Sequence, residues 1–230
     1  MKNIFITGIS SGAGEGLAKY YSSKGVNVYG ISRRELSYSH ENIFHKQIDI
    51  AKATELMTLK DFLPTEIDLV ILNAGVLGKM STMKDADLNE LRQTMDINLW
   101  SQKEILDIVI EHTSTKKIIG VSSGKAISGN VGWSGYCLSK AAFNMLIQLY
   151  ADEYKEIKFV AFAPGLVDTP MQEHLCEDDE PQRFPNMKRL KAARGTKDMP
   201  SPQKFAKMFD EKLDQILSVD SGSYVDLRKL

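Results

Sequence analysis

Residues 3–32 read NIFITGISSGAGEGLAKYYSSKGVNVYGIS, and the order of residue types in this stretch decides the fold. Ile4, Phe5 and Ile6 form a short apolar run, the mark of a strand buried on both faces in a parallel sheet. Four glycines follow, at 8, 12, 14 and 16. Leu17, Ala18, Tyr20 and Tyr21 then recur at helical spacing until Gly25 stops the helix, and Val26, Val28 and Ile31 begin a second strand. Strand, glycine loop, helix and strand make a βαβ unit.

The alternation continues outward from this unit. Residues 44–50 read as a third strand, 53–62 as a helix and 67–72 as a strongly apolar fourth strand. Residues 85–112 read as two consecutive helices, 117–121 as a fifth strand, 134–154 as a helix and 157–163 as a sixth strand. A late helix over 203–217 and a final strand over 223–227 complete the chain. Such regular alternation predicts one α/β domain over 1–230: a doubly wound parallel sheet of about seven strands, with right-handed crossovers and helices on both faces. Residues 171–202 break the pattern, with acidic residues from Glu173 to Glu180, basic ones from Arg183 to Lys197, and four of the seven prolines. A long irregular insertion in a compact domain reads as a lid or binding loop.

Composition narrows the function classes. At 43% hydrophobic and 26% charged residues the 230-residue chain has ordinary globular composition. Twenty-nine basic against 30 acidic residues argue against a dedicated nucleic-acid binder. No apolar run approaches a membrane span, and Thr7 and Gly8 interrupt the N-terminal apolar stretch before it could serve as a signal sequence. Two cysteines, Cys137 and Cys176, make no disulfide framework, and no Asn-x-Ser/Thr site occurs. A cytoplasmic protein with neither nucleic-acid nor membrane partners is expected. The histidines at 40, 45, 112 and 174 share no metal-ligand spacing, so no metal is expected.

The glycine loop departs from G-x-G-x-x-G, because Leu17 stands where the third glycine would be. What stands between strand and helix is Thr7-Gly8-x-x-x-Gly12-x-Gly14. Its physics is that of a pyrophosphate cradle: glycines turn the chain sharply, and backbone N–H groups with the helix N-terminus face the anion. At the end of the second strand, Ser32-Arg33-Arg34 offers no carboxylate to bond a ribose 2′-hydroxyl, while an arginine there suits a 2′-phosphate. This predicts NADP(H) over NAD(H).

Tyr136 and Lys140 lie four positions apart in a helical segment, hence on one face. A neighbouring ammonium favours the phenolate and should lower the tyrosine pKa towards useful acid–base chemistry. Ser123, just past the fifth strand, falls at the carboxyl end of the sheet, where such folds bind ligands. Its hydroxyl could hold a carbonyl oxygen as negative charge develops, with Tyr136 as proton donor.

Together these features resemble the short-chain dehydrogenase/reductase family over nearly the whole chain. The matching residues are Thr7-Gly8-Ile9-Ser10-Ser11-Gly12-Ala13-Gly14, Asp49-Ile50, Asn73-Ala74-Gly75, Asn98, Ser123, Tyr136 to Lys140, and Pro164-Gly165-Leu166-Val167-Asp168-Thr169. The resemblance implies a Rossmann-like fold with Asn98, Ser123, Tyr136 and Lys140 as the catalytic set. It implies that Asp49 and Ile50 contact adenine, that Asn73 to Gly75 line the cofactor site, and that Asn98 completes a proton relay through water and the lysine. Lys140 would also bond the nicotinamide ribose, and Pro164 to Thr169 would lie against the carboxamide, with Val167 and Thr169 in contact. Leu72 stands where members usually carry a first asparagine, and Ala13 where isoleucine is common.

The segments 31–35, 121–124, 132–137 and 161–172 are further similar to the branch holding sepiapterin reductase and the bacterial benzil reductases, which reduce one carbonyl of a vicinal dicarbonyl. Trp133 and 171–202 would then be pocket wall and lid. The expected activity is NADPH-dependent reduction of a small carbonyl substrate. Reduction of 3-oxoacyl carrier proteins, sugar or polyol dehydrogenation, and a non-enzymatic cofactor-sensing role are the alternatives. The family also implies a homodimer or homotetramer, paired through the long helices at about 98–113 and 134–153.

Overall fold

The computed structural model describes residues 1–177, Phe184 and 186–230. In chain order the first half holds β1 (Asn3–Thr7), α1 (Gly12–Ser23), β2 (Asn27–Ser32), β3 (Ile43–Gln47), α2 (Ala53–Leu56), β4 (Glu66–Ile67), β5 (Leu69–Leu72), α3 (Leu88–Met95) and α4 (Ser101–His112). The second half holds β6 (Ser114–Thr115), β7 (Lys117–Val121), α5 (Lys125–Ser128), α6 (Ser134–Glu153), β8 (Lys158–Ala163), α7 (Pro170–Glu177), α8 (Asn186–Ala193), α9 (Pro202–Glu211), α10 (Leu213–Ser218) and β9 (Tyr224–Asp226).

Seven strands form one parallel sheet in the order β3-β2-β1-β5-β7-β8-β9, so the expected doubly wound α/β domain is the observed one. The short β4 and β6 pair separately. The central strands β1, β5, β7 and β8 are apolar in both directions because both their faces are covered. Phe5, Val70, Leu72, Ile118 and Phe159 pack on one side with Ile105, Leu106 and Val109 of α4 and Phe143 and Ile147 of α6. Their neighbours Ile4, Ile6, Leu69, Ile71, Ile119 and Val160 pack on the other with Leu17 and Tyr21 of α1 and Phe205 and Phe209 of α9. Side chains alternate across a strand, so a continuous apolar run feeds both cores. Ile4, Phe5 and Ile6 are fully buried, each side chain contributing about 1.5–3 kcal/mol.

The chain runs outward from β1 to β2 and β3, then returns to place β5 on β1's other side. The carboxyl ends of β1 and β5 therefore bound a crevice, the usual ligand position in such sheets. Thr7 and Asn73 lock its floor: the Thr7 hydroxyl accepts from the Asn73 and Ala74 N–H groups at 2.9 Å each, and the Asn73 side chain donates to the Thr7 carbonyl at 2.9 Å.

Several expected boundaries move. The third strand ends at Gln47, not at 50: the Ile48 N–H takes the Ser32 carbonyl at the end of β2, and Asp49 is then held by Glu55, which accepts from its N–H at 2.7 Å. The helix expected over 53–62 is α2 followed by a 3₁₀ turn, Met57–Leu59, ahead of Pro64. The strand expected over 67–72 is broken at Asp68, whose carboxylate accepts from the Asn3 N–H at 2.9 Å and so anchors β1 instead. Two consecutive helices stand in 85–112 as expected, but begin at Leu88, where Asp87 caps α3 by accepting from Asn89 and Glu90. The late helix divides at Lys212 into α9 and α10.

The largest correction concerns 171–202. It is not irregular: α7 and α8 stand there, although 178–183 and Pro185 lie outside the described residues. Met187, Leu190 and Ala193 of α8 join Phe184, Met199 and Trp133 in a small third core. Arg194, just past α8, ties it to α7 through Glu173 at 2.8 Å and to the loop after β8 through Asp168 at 3.4 Å. No helix among the described residues is long and apolar enough to cross a membrane.

Candidate active site

The glycine loop leaves β1 at Gly8 and enters α1 at Gly12, both with positive φ, at 78° and 61°. A side chain at Gly12 would press on Thr169, and one at Gly14 would stand 2.2 Å from the Gly8 carbonyl oxygen. Bare backbone is therefore what lines the turn, with the α1 N-terminus behind it. Beside it opens a cleft of about 410 Å³ along the carboxyl ends of the strands. Arg34 reaches across to donate to the Ser11 hydroxyl at 2.8 Å. Ser32 donates to the Arg34 carbonyl at 2.8 Å, and the His45 ring lies 2.8 Å from the same hydroxyl. Arg33 and Arg34 are exposed, and among the described residues neither meets a carboxylate.

Further along the cleft stands Tyr136 near the start of α6, with its phenol hydrogen-bonded to Ser123. Atoms packed around the phenol raise its pKa, and the Ser123 bond offsets this only in part. The expected lowering by Lys140 is thus not what the protein alone produces: desolvation wins over a cation 6.0 Å from the ring centre. Lys140 is 5% exposed, donates to the Val121 carbonyl at 2.7 Å, and is pushed down to about 8 by burial. Asn98 lies in a π-helical turn, Asp96–Trp100, that joins α3 to α4. Both ends of its amide bond Val76 at 2.8 Å, and its nitrogen also donates to Ser139 at 3.0 Å. Asn98 therefore clamps the loop after β5 to α6, and a side chain at Gly75 would press on its oxygen at 3.0 Å and meet the Lys140 amine at 3.5 Å.

A second cavity of about 270 Å³ adjoins the first. Tyr136, Ser122, Pro164, Gly165, Met171 and Gln172 line both, so the tyrosine stands where the two meet. Ser123, Trp133, Leu166 and Leu190 wall the second.

A family model for short chain dehydrogenases matches residues 2–180. The chain is a short-chain dehydrogenase. A benzil reductase ((S)-benzoin forming) of Bacillus cereus is 32% identical over 93% of this chain and 94% of its own. An uncharacterized oxidoreductase of Schizosaccharomyces pombe is 38% identical over 77% of this chain and 75% of its own. The crystal structure of a short chain dehydrogenase/reductase from Saccharomyces cerevisiae, 26% identical, covers 99% of this chain and 96% of its own with a TM-score of 0.85. As a short-chain dehydrogenase the chain is an oxidoreductase of CH–OH and C=O groups, in a family that uses NAD(H) or NADP(H).

The short-chain dehydrogenase fold gathers the residues singled out in the sequence. Gly8, Ser10, Ser11, Gly12, Ala13, Ser32, Arg33, Arg34, Asp49, Ile50, Asn73, Ala74, Gly75, Tyr136, Lys140, Pro164, Gly165, Val167 and Thr169 line the larger cleft. Thr7, Gly14 and Asn98 stand behind its wall. Sequence reasoning missed Ser122, Gln172, Lys125, Arg189 and Arg228, which converge on the second cavity from distant segments. Gln172 and Arg189 carried a signal as part of the insertion at 171–202, and Ser122 as part of the matching segment 121–124. Among the described residues no His, Cys, Asp and Glu cluster could hold a metal.

Proposed function

We propose that this short-chain dehydrogenase is an NADPH-dependent carbonyl reductase whose substrates include vicinal dicarbonyls. The observation that carries the reading is Tyr136 at the junction of two cavities, with Ser123 on its hydroxyl and Lys140 buried behind it. Similarity to the Bacillus cereus benzil reductase over nearly the full length supports the substrate class.

The larger cleft fits a dinucleotide, because its glycine turn leaves no room for side chains and its two exposed arginines await an anion. The loop Gly8 to Gly14 would hold the pyrophosphate, Ser32, Arg33 and Arg34 the 2′-phosphate, Asp49 and Ile50 the adenine, and Asn73 to Gly75 the wall beside them. Lys140 would bond the ribose, and Pro164 to Thr169 would hold the carboxamide. The cofactor, when bound, supplies a hydride to the carbonyl carbon. Tyr136 gives a proton to the carbonyl oxygen; its raised pKa keeps that proton in place at neutral pH. Ser123 hydrogen-bonds the same oxygen as charge develops. Lys140, titrating near 8, re-protonates the tyrosine, and Asn98 fixes the loop and helix around them. The hairpin α7–α8 closes the second cavity as a lid, through Met171, Gln172 and Leu190.

Tyr136→Phe should cut turnover of a vicinal diketone by at least about 100-fold, the scale of general-acid catalysis, with NADPH affinity within threefold of wild type by fluorescence titration. Activity retained in the variant would refute the role. Arg34→Ala should weaken NADPH by about tenfold and leave NADH nearly unchanged, since a charge-assisted bond to the extra phosphate is lost. Equal or tighter binding of NADH to the wild-type protein would overturn the cofactor preference. Exposed Trp100 with Leu138, Met145 and Leu149, which share one face of α6, support a homodimer or homotetramer.

A further inference from the structure

Three cationic side chains line the second cavity, and among the described residues no acidic side chain does. Lys125 follows Ser123 by two residues, and the Ser123 hydroxyl accepts from its N–H at 3.2 Å. Its ammonium lies 6.0 Å from the Trp133 ring centre, and that ring meets Tyr136 edge-on at 6.1 Å. Arg189 comes to the same cavity from α8. Arg228 crosses Gly124 and Gly165, but it is neutralised by the buried Asp226 through two bonds, at 2.9 and 2.5 Å. Lys125 and Arg189 have no such partner among the described residues.

The half-buried Lys125 and the exposed Arg189 thus give the cavity a positive lining beside the reacting tyrosine, which an anionic group on a ligand would complement. We infer that the substrate carries a carboxylate close to its reactive carbonyl, held between Lys125 and Arg189. The inference rests on the reductase reading above and refines its substrate class to oxo acids. Because both cations line the cavity itself, they meet a charge on the substrate rather than on a docking protein. The carboxylate would be drawn towards the Lys125 side of the pocket, leaving the carbonyl to Ser123 and Tyr136.

The test is a matched pair that differs only in charge: phenylglyoxylate and phenylglyoxamide, bound to the enzyme saturated with NADP⁺ so that no turnover intervenes. Calorimetry should give a dissociation constant about tenfold lower for the carboxylate, one strong ionic contact's worth. That preference should fall below about threefold in 0.5 M salt and in the Lys125→Met, Arg189→Met double variant. Equal affinities, a preference for the amide, no measurable carboxylate binding, or a preference unmoved by the double variant would each overturn the inference. Reduction of neutral 1-phenyl-1,2-propanedione by NADPH, measured in parallel, tests the reductase reading alone. Failure there with a carboxylate preference intact would sink that reading and not the anion site.

Discussion

Lys140 sets function against stability. Its pKa falls from 10.5 in the unfolded chain to about 8 in the fold, because burial disfavours the charge. Between these values the unfolded chain holds the extra proton, so stability should rise with pH across roughly 8 to 10.5. Below pH 8 the buried charge costs about 3 kcal/mol. Lys140→Met should therefore match or exceed wild type in urea midpoint at pH 7, and that advantage should close towards pH 10. A variant markedly less stable at pH 7 would show that the bond to Val121 outweighs desolvation. Its reductase activity should be lost. Reductase kcat of the wild-type enzyme should fall as pH rises through about 8, as the relay loses its proton; a flat profile up to pH 10 would contradict the assignment. Tyr136, Lys140 and Ser123 were legible in the sequence because helical spacing and a strand end are local signals. Lys125, Arg189 and Arg228 were not, because three separate segments bring them together only in the fold.

Element identity was written in apolar runs, whereas element ends depended on tertiary partners. The central strands were legible because each feeds two cores. Their limits were not: Asp68 leaves the expected strand to hold β1, and β3 stops where β2 does. Helices α7 and α8 escaped notice because charges and prolines hide the spacing of Met187, Leu190 and Ala193, which have an apolar partner surface only once Trp133 is in place. The α1–α9 contact shows how closely elements meet. A side chain at Gly16 would stand 2.3 Å from the Pro202 carbonyl oxygen, backbone that cannot swing aside. Gly16→Ala should therefore cost about 1–3 kcal/mol by overpacking, despite alanine's better helix propensity. A urea midpoint equal to or above wild type would show that α9 shifts without cost.

At the scale of the whole molecule, strand order carries the site. The reversal between β1 and β5 opens the crevice, and everything from the glycine loop to Tyr136 sits along it. That much followed from the alternation of elements. The surface stripe of Leu138, Met145 and Leu149 did not, since burial within the domain cannot be told from burial by a second copy in sequence alone. Met145→Glu combined with Leu149→Glu should convert a wild-type dimer or tetramer to monomer by light scattering; a monomeric wild type would remove the reason for the stripe. The central claim is that this enzyme moves a hydride from NADPH to a carbonyl carbon. The most direct measurement uses NADPH deuterated at the transferred position with a vicinal diketone, and reads the hydroxyketone by mass spectrometry. The account predicts one deuterium on the carbinol carbon. Tight binding of the labelled NADPH, with no deuterium reaching any diketone, would contradict it.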